Sequence, residues 1–416
     1  MRILVLGAGL IGTTLAYELM QRGHEVTVVD RQPEGARECS FSNGGQLSYS
    51  HAEPWASPQV LLKILQWLGR KDAPLVFRFR ADPAMWSWAL KFLKHCTHAR
   101  NLEGTRTMLR LSLYSRECFQ RLRQSVPVEF DFAETGTLHI YKSEKSLERA
   151  IRHAEFQKQL GCSYQVLNAE ETVTKEPALK AIQSTLVGSI HFPLDQTGDA
   201  YRFTTGLVAH CKNVDFRFNT TITAIESQGD SITGVLTNQG KLTADAYVVA
   251  LGAESPSLLK KLGIRLPIYP LKGYSISLPL DDNKHSFRTS ILDESCKVVA
   301  TRLGEKLRIA GTAEFAGYNT EPTDYRINTI IRAAQALFPE LDRWNEISRW
   351  ACLRPAVPDG IPLLGKTPLK NLFLNTGHGS LGWTLAAGSA MIVADAIEDK
   401  TLAISLDGMG LDRFYT

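Results

Sequence analysis

Arg2-Ile3-Leu4-Val5-Leu6-Gly7-Ala8-Gly9-Leu10-Ile11-Gly12 stands at the start of the chain, and its reading decides the fold. Arg2 and four branched apolar residues after it predict a short strand, the glycines a tight turn, and Leu10 to Arg22 a helix that Gly23 stops. A second apolar strand, Val26 to Val29, ends on Asp30. All-apolar strands joined through a helix belong to a parallel sheet covered on both faces. Strand, Gly-x-Gly-x-x-Gly and helix together form the dinucleotide fingerprint. Gly7 permits the turn, Gly9 lets the backbone approach a pyrophosphate, Gly12 lets helix and strand pack closely, and the helix N-terminus faces the phosphates with positive field. Asp30, eighteen residues after Gly12, is placed to accept ribose hydroxyls, and Arg31 adjoins it in the expected nucleotide site.

The 416 residues are 44% hydrophobic and 22% charged, which excludes a disordered chain, a collagen or a small disulfide scaffold. A formal charge of +4, from 47 Lys plus Arg against 43 Asp plus Glu, is too small and dispersed for a nucleic-acid partner. The seven cysteines, Cys39, Cys96, Cys118, Cys162, Cys211, Cys296 and Cys352, contain no C-x-x-C pair, so neither a metal site nor a disulfide framework is expected. The first residues read directly into structure rather than as a secretory signal, and no apolar run of about 18 residues is present. A cytoplasmic location is expected. Two interleaved domains are predicted: residues 1–80, 193–262 and 348–416 for the nucleotide, and 81–192 with 263–347 for a substrate.

Further along, helices are expected over 105–124, 143–161 and 324–338. Strands are expected at 136–141 and 189–192, through 215–252 and through 267–314. The unit 371–399 repeats the opening logic: strand, glycine loop, helix.

The fingerprint alone does not separate a nicotinamide from a flavin dinucleotide. Ser40-Phe41-Ser42-Asn43-Gly44-Gly45-Gln46 is a small, backbone-rich loop able to lie along a flat ring. Val248 to Gly252 returns a strand toward the adenosine. Gly377-His378-Gly379-Ser380-Leu381-Gly382 precedes a helix, so amides and a positive dipole end face developing negative charge. That second glycine-rich helix start is more than a nicotinamide needs and favours FAD.

Together with Ala52-x-Pro54-Trp55-Ala56, Thr197-Gly198-Asp199, Tyr269-Pro270-Leu271-Lys272-Gly273-Tyr274-Ser275, Leu353-Arg354-Pro355 and Pro358-Asp359-Gly360, these segments resemble the flavoprotein superfamily of D-amino acid oxidase and glycine/sarcosine oxidase. Within it, they are most similar to the bacterial D-amino-acid dehydrogenase (small subunit) family. The resemblance implies a Rossmann-like FAD-binding domain interleaved with an antiparallel-sheet substrate domain, a mixed α/β and α+β fold. It further implies oxidative deamination of D-amino acids to 2-oxo acids and ammonia, by hydride transfer from Cα to flavin N5, with electrons passed to a quinone or another acceptor that is not oxygen. Glycine, sarcosine, D-proline and hydroxyproline are the alternative substrates.

Arg354 is the expected anchor for the substrate carboxylate, because guanidinium offers planar two-point recognition with permanent charge. Tyr274 and Tyr318 are expected to hydrogen-bond substrate. Cofactor contacts are assigned to Gly7, Gly9, Gly12, Asp30, Arg31, Ser42, Asn43, Gly44, Gly45, Gln46, Gly252, Gly377, His378, Gly379, Leu381 and Gly382. The segment from Gln59 to Cys96 mixes Leu61, Leu62, Ile64, Leu65, Trp67 and Leu68 with Lys63, Arg70 and Lys71, a pattern suited to peripheral membrane contact.

Overall fold

The fold is known from a computed structural model, which describes residues 1–67, 69, 73–78, 80–281 and 286–415. Leu68, Arg70 and Lys71 of the expected membrane surface lie outside the described residues.

The opening strand Arg2–Leu6 sits inside a six-stranded sheet among the described residues. Its order is Leu363–Lys366, Leu372–Thr376, Ala246–Val249, Arg2–Leu6, Glu25–Val29 and Val214–Arg217. All pairings are parallel except that of the edge strand Leu363–Lys366. Val5, Leu6, Val28, Val29, Val248 and Val249 are fully buried, as the apolar runs require of a sheet covered on both sides. Helices Leu10–Gln21 and Gly382–Ile397 pack together on one face, and the long helix His98–Ser125 lies against the second of them. Each fully buried Leu or Ile here contributes roughly 1.5–3 kcal/mol.

At the far end of that pair Arg22 joins both helices, reaching Glu18 at 2.7 Å, Asp395 at 2.6 Å and Glu398 at 2.5 Å. Burial opposes its charge, yet the three carboxylates hold its proton more firmly than in water. Approach of the long helix depends on Gly388, where a Cβ would stand 2.8 Å from Ser115 Cα. Ser115 Oγ uses that closeness, donating to Thr384 O at 2.7 Å and accepting from Gly388 N at 3.0 Å.

A second sheet runs Ser348–Ala356, Tyr269–Pro279, Lys306–Phe315, Val298–Leu303, Ser290–Asp293, Thr137–Tyr141, Gly188–Phe192 and Gln165–Asn168, with Leu75–Phe77 paired to Lys306–Phe315. It is mostly antiparallel, as expected, but Ser290–Asp293 runs parallel to Thr137–Tyr141 and Leu75–Phe77 parallel to Lys306–Phe315. Helix Asp324–Leu337 covers one face through Ile327, Ile330 and Ala334.

Three segments depart from the expected domain division. Strands Leu75–Phe77 and Ser348–Ala356, placed with the nucleotide, pair in the second sheet. Helix His98–Ser125, placed with the substrate, packs its Leu109, Leu111 and Phe119 into the core of the first. Local composition does not reveal which sheet an apolar segment joins. Thermal unfolding tests the helix contact: Gly388→Leu overpacks it and costs about 1–3 kcal/mol, with a lower Tm than wild type.

Candidate active site

Glycine chemistry shapes the mouth of the first sheet. Gly7 has φ 110°, and a Cβ there would lie 2.7 Å from Ala250 O. At Gly12 it would lie 1.9 Å from Gly7 O, so the helix leaves the strand only because position 12 is bare. Gly9 differs, since its nearest neighbour would be Ser40 Oγ at 3.9 Å, leaving backbone open to the cavity. Asp30 braces this turn: Oδ2 accepts from Ala8 N at 2.7 Å and Oδ1 from Gln32 N at 2.9 Å. Burial raises the Asp30 pKa, opposed by those two amides. Arg31 sits at the rim, held by Glu38 at 2.7 Å and Glu254 at 3.6 Å.

From this turn a cavity of about 1230 Å³ runs to the second sheet. Ser42, Asn43, Gly44 and Gln46 line it, and the loop is fastened from behind. Ser275 Oγ donates to Ser42 O at 2.9 Å, Arg308 Nη1 to Asn43 O at 2.9 Å, and Gly45 N to Asn43 Oδ1 at 2.9 Å. Gly45 itself, at φ 78°, shapes the loop without entering the wall, as Gly12 does beneath Gly7. Gln46 donates to Ser290 Oγ at 2.7 Å. Gly252, Gly377, His378, Gly379, Leu381 and Gly382 complete the wall.

An extended dinucleotide fits this lining. Backbone is bare at Gly9, a carboxylate stands at the end of the second strand, and the buried Asn375 in the wall has neither amide atom partnered.

Across the cavity, strand Ser348–Ala356 presents Trp350, Cys352 and Arg354 at alternate positions. Gly273 pairs with Cys352, and the Arg354 Cζ lies 2.5 Å from where a Gly273 side chain would begin. A bare position 273 therefore lets the guanidinium lie across the neighbouring strand. Arg354 makes no hydrogen bond or ion pair among the described residues.

Two other expected substrate contacts are not brought to it. Tyr274 borders the cavity, but its ring belongs to the core beneath helix Asp324–Leu337 and its hydroxyl donates to Glu314. One residue from Gly273, it points to the opposite sheet face. Tyr318 lies outside the cavity wall, 49% exposed, donating to Ala253 O at 3.2 Å. Nor are all amides of the second glycine loop free. Gly379 N donates to Pro355 O at 3.1 Å and Leu381 N to His378 O at 3.0 Å. His378 turns inward, its Nε2 3.0 Å from Ser389 Oγ, rather than toward a flavin edge.

Unforeseen from sequence is a polar lobe of the same cavity. His51 and His139 have ring centroids 5.6 Å apart, His139 Nδ1 lies 3.7 Å from Glu294, and Glu294 pairs with Lys297. Burial pushes His139 down to about 3. Burial also opposes the Glu294 charge, but Lys297 prevails and holds the carboxyl at about 2. The local sequence signal was slight, two titratable residues, His51 and Glu53, either side of Ala52.

Fold and cavity define a dinucleotide-binding protein whose second sheet presents the Arg354 guanidinium to the same cavity. Residues 2–396 match the FAD dependent oxidoreductase family, and the chain belongs to it. It is 47% identical over 417 residues, 100% of this chain and 99% of its relative, to a D-amino acid dehydrogenase of Paramagnetospirillum magneticum. Among solved structures, the fold is similar to L-proline dehydrogenase from P. horikoshii, with a TM-score of 0.77 and 20% identity over 100% of this chain and 97% of that one. Glycine oxidase from Geobacillus kaustophilus gives 0.76 and 21% over 99% and 98%.

Burial also pushes His378 down to about 3, so it is neutral at working pH. Because the folded pKa is below the ordinary 6.5 of histidine, the unfolded chain binds the proton first. Stability from this residue is full above about 6.5 and falls as pH drops toward 3, at up to about 1.4 kcal/mol per unit. Denaturant titrations from pH 7 to 4 should show wild type losing stability relative to His378→Gln by that slope; parallel curves would refute the buried neutral imidazole.

Proposed function

We propose that the chain oxidises D-amino acids to 2-oxo acids and ammonia, passing the electrons to a quinone or a related acceptor rather than to oxygen. The observation that carries this reading is Arg354, a guanidinium without a carboxylate partner among the described residues, lining the same cavity as the loop 42–46. A bidentate contact would satisfy it with the α-carboxylate of an amino acid. The D configuration is supported by the name of the relative from Paramagnetospirillum magneticum.

Gly7, Gly9 and Gly12 shape the pyrophosphate site, Asp30 retains lone pairs for a ribose hydroxyl, and Ser42, Asn43, Gly44 and Gln46 form a ledge for the ring system. Arg31 and Gly252 flank the adenosine half. FAD, when bound, supplies the acceptor for a hydride from the substrate Cα. Arg354 orients that carbon by fixing the carboxylate, and the N-terminus of helix Gly382–Ile397 directs positive field into the same space. The imine product then hydrolyses in water. No protein acid or base is needed if the amine enters neutral.

Membrane contact at the electron-accepting stage is supported by helix Pro83–His95. Its Met85, Trp88 and Phe92 are buried, while Trp86, Leu90 and Leu93 on the other side are 46%, 63% and 50% exposed beside Lys91 and Lys94. A helix apolar on both sides, with one side uncovered and cationic, suits a lipid interface. Among the described residues no helix is long and apolar enough to cross a membrane; the proposed contact is a peripheral one.

Anaerobic titration of the flavin absorbance tests the activity. D-alanine or D-proline should bleach it and a quinone analogue restore it faster than air; bleaching by glycine or sarcosine alone would move the assignment to that substrate class. Arg354→Leu should retain flavin and raise the KM for D-alanine about 100-fold, given charge-assisted bonds of about 1.5–3 kcal/mol each. For the membrane, Leu90→Asp with Leu93→Asp should abolish cosedimentation with anionic vesicles, and a wild type that stays in the supernatant would defeat that part.

A further inference from the structure

Cys39 and Cys352 come from opposite ends of the chain and meet in the cavity wall. Cys39 lies between the second strand and the loop 42–46; Cys352 lies in strand Ser348–Ala356, on the face that carries Arg354. Both are half-buried. The Cys39 Sγ is 3.0 Å from Leu353 O, to which it donates, and it neighbours the Cys352 side chain closely enough for the two thiols to interact. The two thiols thus neighbour each other beside the guanidinium that the proposed activity uses.

We propose that Cys39 and Cys352 are a reversible redox pair, converted by a hydroperoxide into a disulfide that disables the Arg354 strand. The Cys352 thiolate attacks one peroxide oxygen, breaking the O–O bond and forming a sulfenic acid, while the second oxygen leaves as water after taking a proton. Cys39 sulfur then displaces the sulfenic oxygen, which leaves as a second water. Two thiols lose two electrons and two protons, and one hydrogen peroxide becomes two waters.

The two sulfurs are unequal in the way this sequence needs. A hydrogen bond that Cys39 makes to the Cys352 sulfur once its proton turns from Leu353 O lowers the Cys352 pKa against the effect of burial, and the nearby Arg354 charge adds to it. The same bond, together with burial, keeps Cys39 protonated as the resolving thiol. Elsewhere burial dominates: Cys96 is pushed up to about 11, and Cys162, Cys211 and Cys296 to about 12. Nucleophilic thiolate is therefore concentrated at one position. Once bonded, the segment around Cys39 and the strand around Cys352 are tied together two residues from Arg354, so the guanidinium loses freedom to close on a substrate.

Non-reducing peptide mapping of the flavin-loaded enzyme after graded hydrogen peroxide tests this. The expected product is one cross-link, Cys39 to Cys352, with loss of two hydrogens, D-alanine turnover falling with the linked fraction, and both reversed by dithiothreitol. Cys39→Ser should give no cross-link and a dimedone-trappable sulfenic acid at Cys352. Two separately alkylated peptides after peroxide, or flavin covalently retained on Cys352, would overturn the pair. Full turnover in fully linked protein would overturn its control of Arg354. Should untreated wild type fail to oxidise D-alanine or any other D-amino acid, the substrate reading falls, while the linkage map still decides the fate of the two thiols.

Discussion

The nucleotide half depends on one close approach, that of Gly12 to the carbonyl of Gly7. A single carbon added at position 12 would stand 1.9 Å from that oxygen. Because nothing is there, helix Leu10–Gln21 starts directly above the end of strand Arg2–Leu6, and the amide of Ala8 is aimed at Asp30. Asp30 in turn fixes the end of the second strand against the first. The parallel sheet, the open backbone at Gly9 and the carboxylate for a ribose all follow from that contact.

A second bare position has the matching role in the other sheet. Without a side chain at Gly273, the Arg354 guanidinium lies over the adjoining strand and borders the same cavity as the glycine turn. Hydrogen bonds from Ser275 and Arg308 hold the loop 42–46 to that sheet. One cavity wall therefore belongs to both sheets, and the glycine turn and the Arg354 guanidinium are parts of one geometry.

How much of this was legible depended on whether the signal was local. The glycine turn and its Asp30 were readable because strand, turn and helix are consecutive and their spacing states their geometry. Arg354 was readable through its neighbours Leu353 and Pro355. Where the Tyr274 ring goes was not legible, because a strand alternates its faces: one residue from Gly273 places the ring under helix Asp324–Leu337, and sequence does not say which face meets the cavity. His378 lines the cavity, but its ring nitrogen meets Ser389, eleven residues on and about two turns into a buried helix, a contact that no local spacing announces. The polar lobe of His51, His139, Glu294 and Lys297 joins three distant segments, and no spacing announces it.

The sequence by itself determined the dinucleotide turn, the parallel sheet that continues it and the second glycine-rich helix start, and it singled out Arg354, which lines the cavity. These rest on backbone conformation, hydrophobic periodicity and permanent charge, all properties of residues near one another in the chain. Only the tertiary structure decided that strand Ser348–Ala356 pairs beside Tyr269–Pro279, that Tyr318 stays outside the cavity, and that Cys39 meets Cys352. Those outcomes depend on which distant surfaces bury one another, a choice made by packing of the whole core.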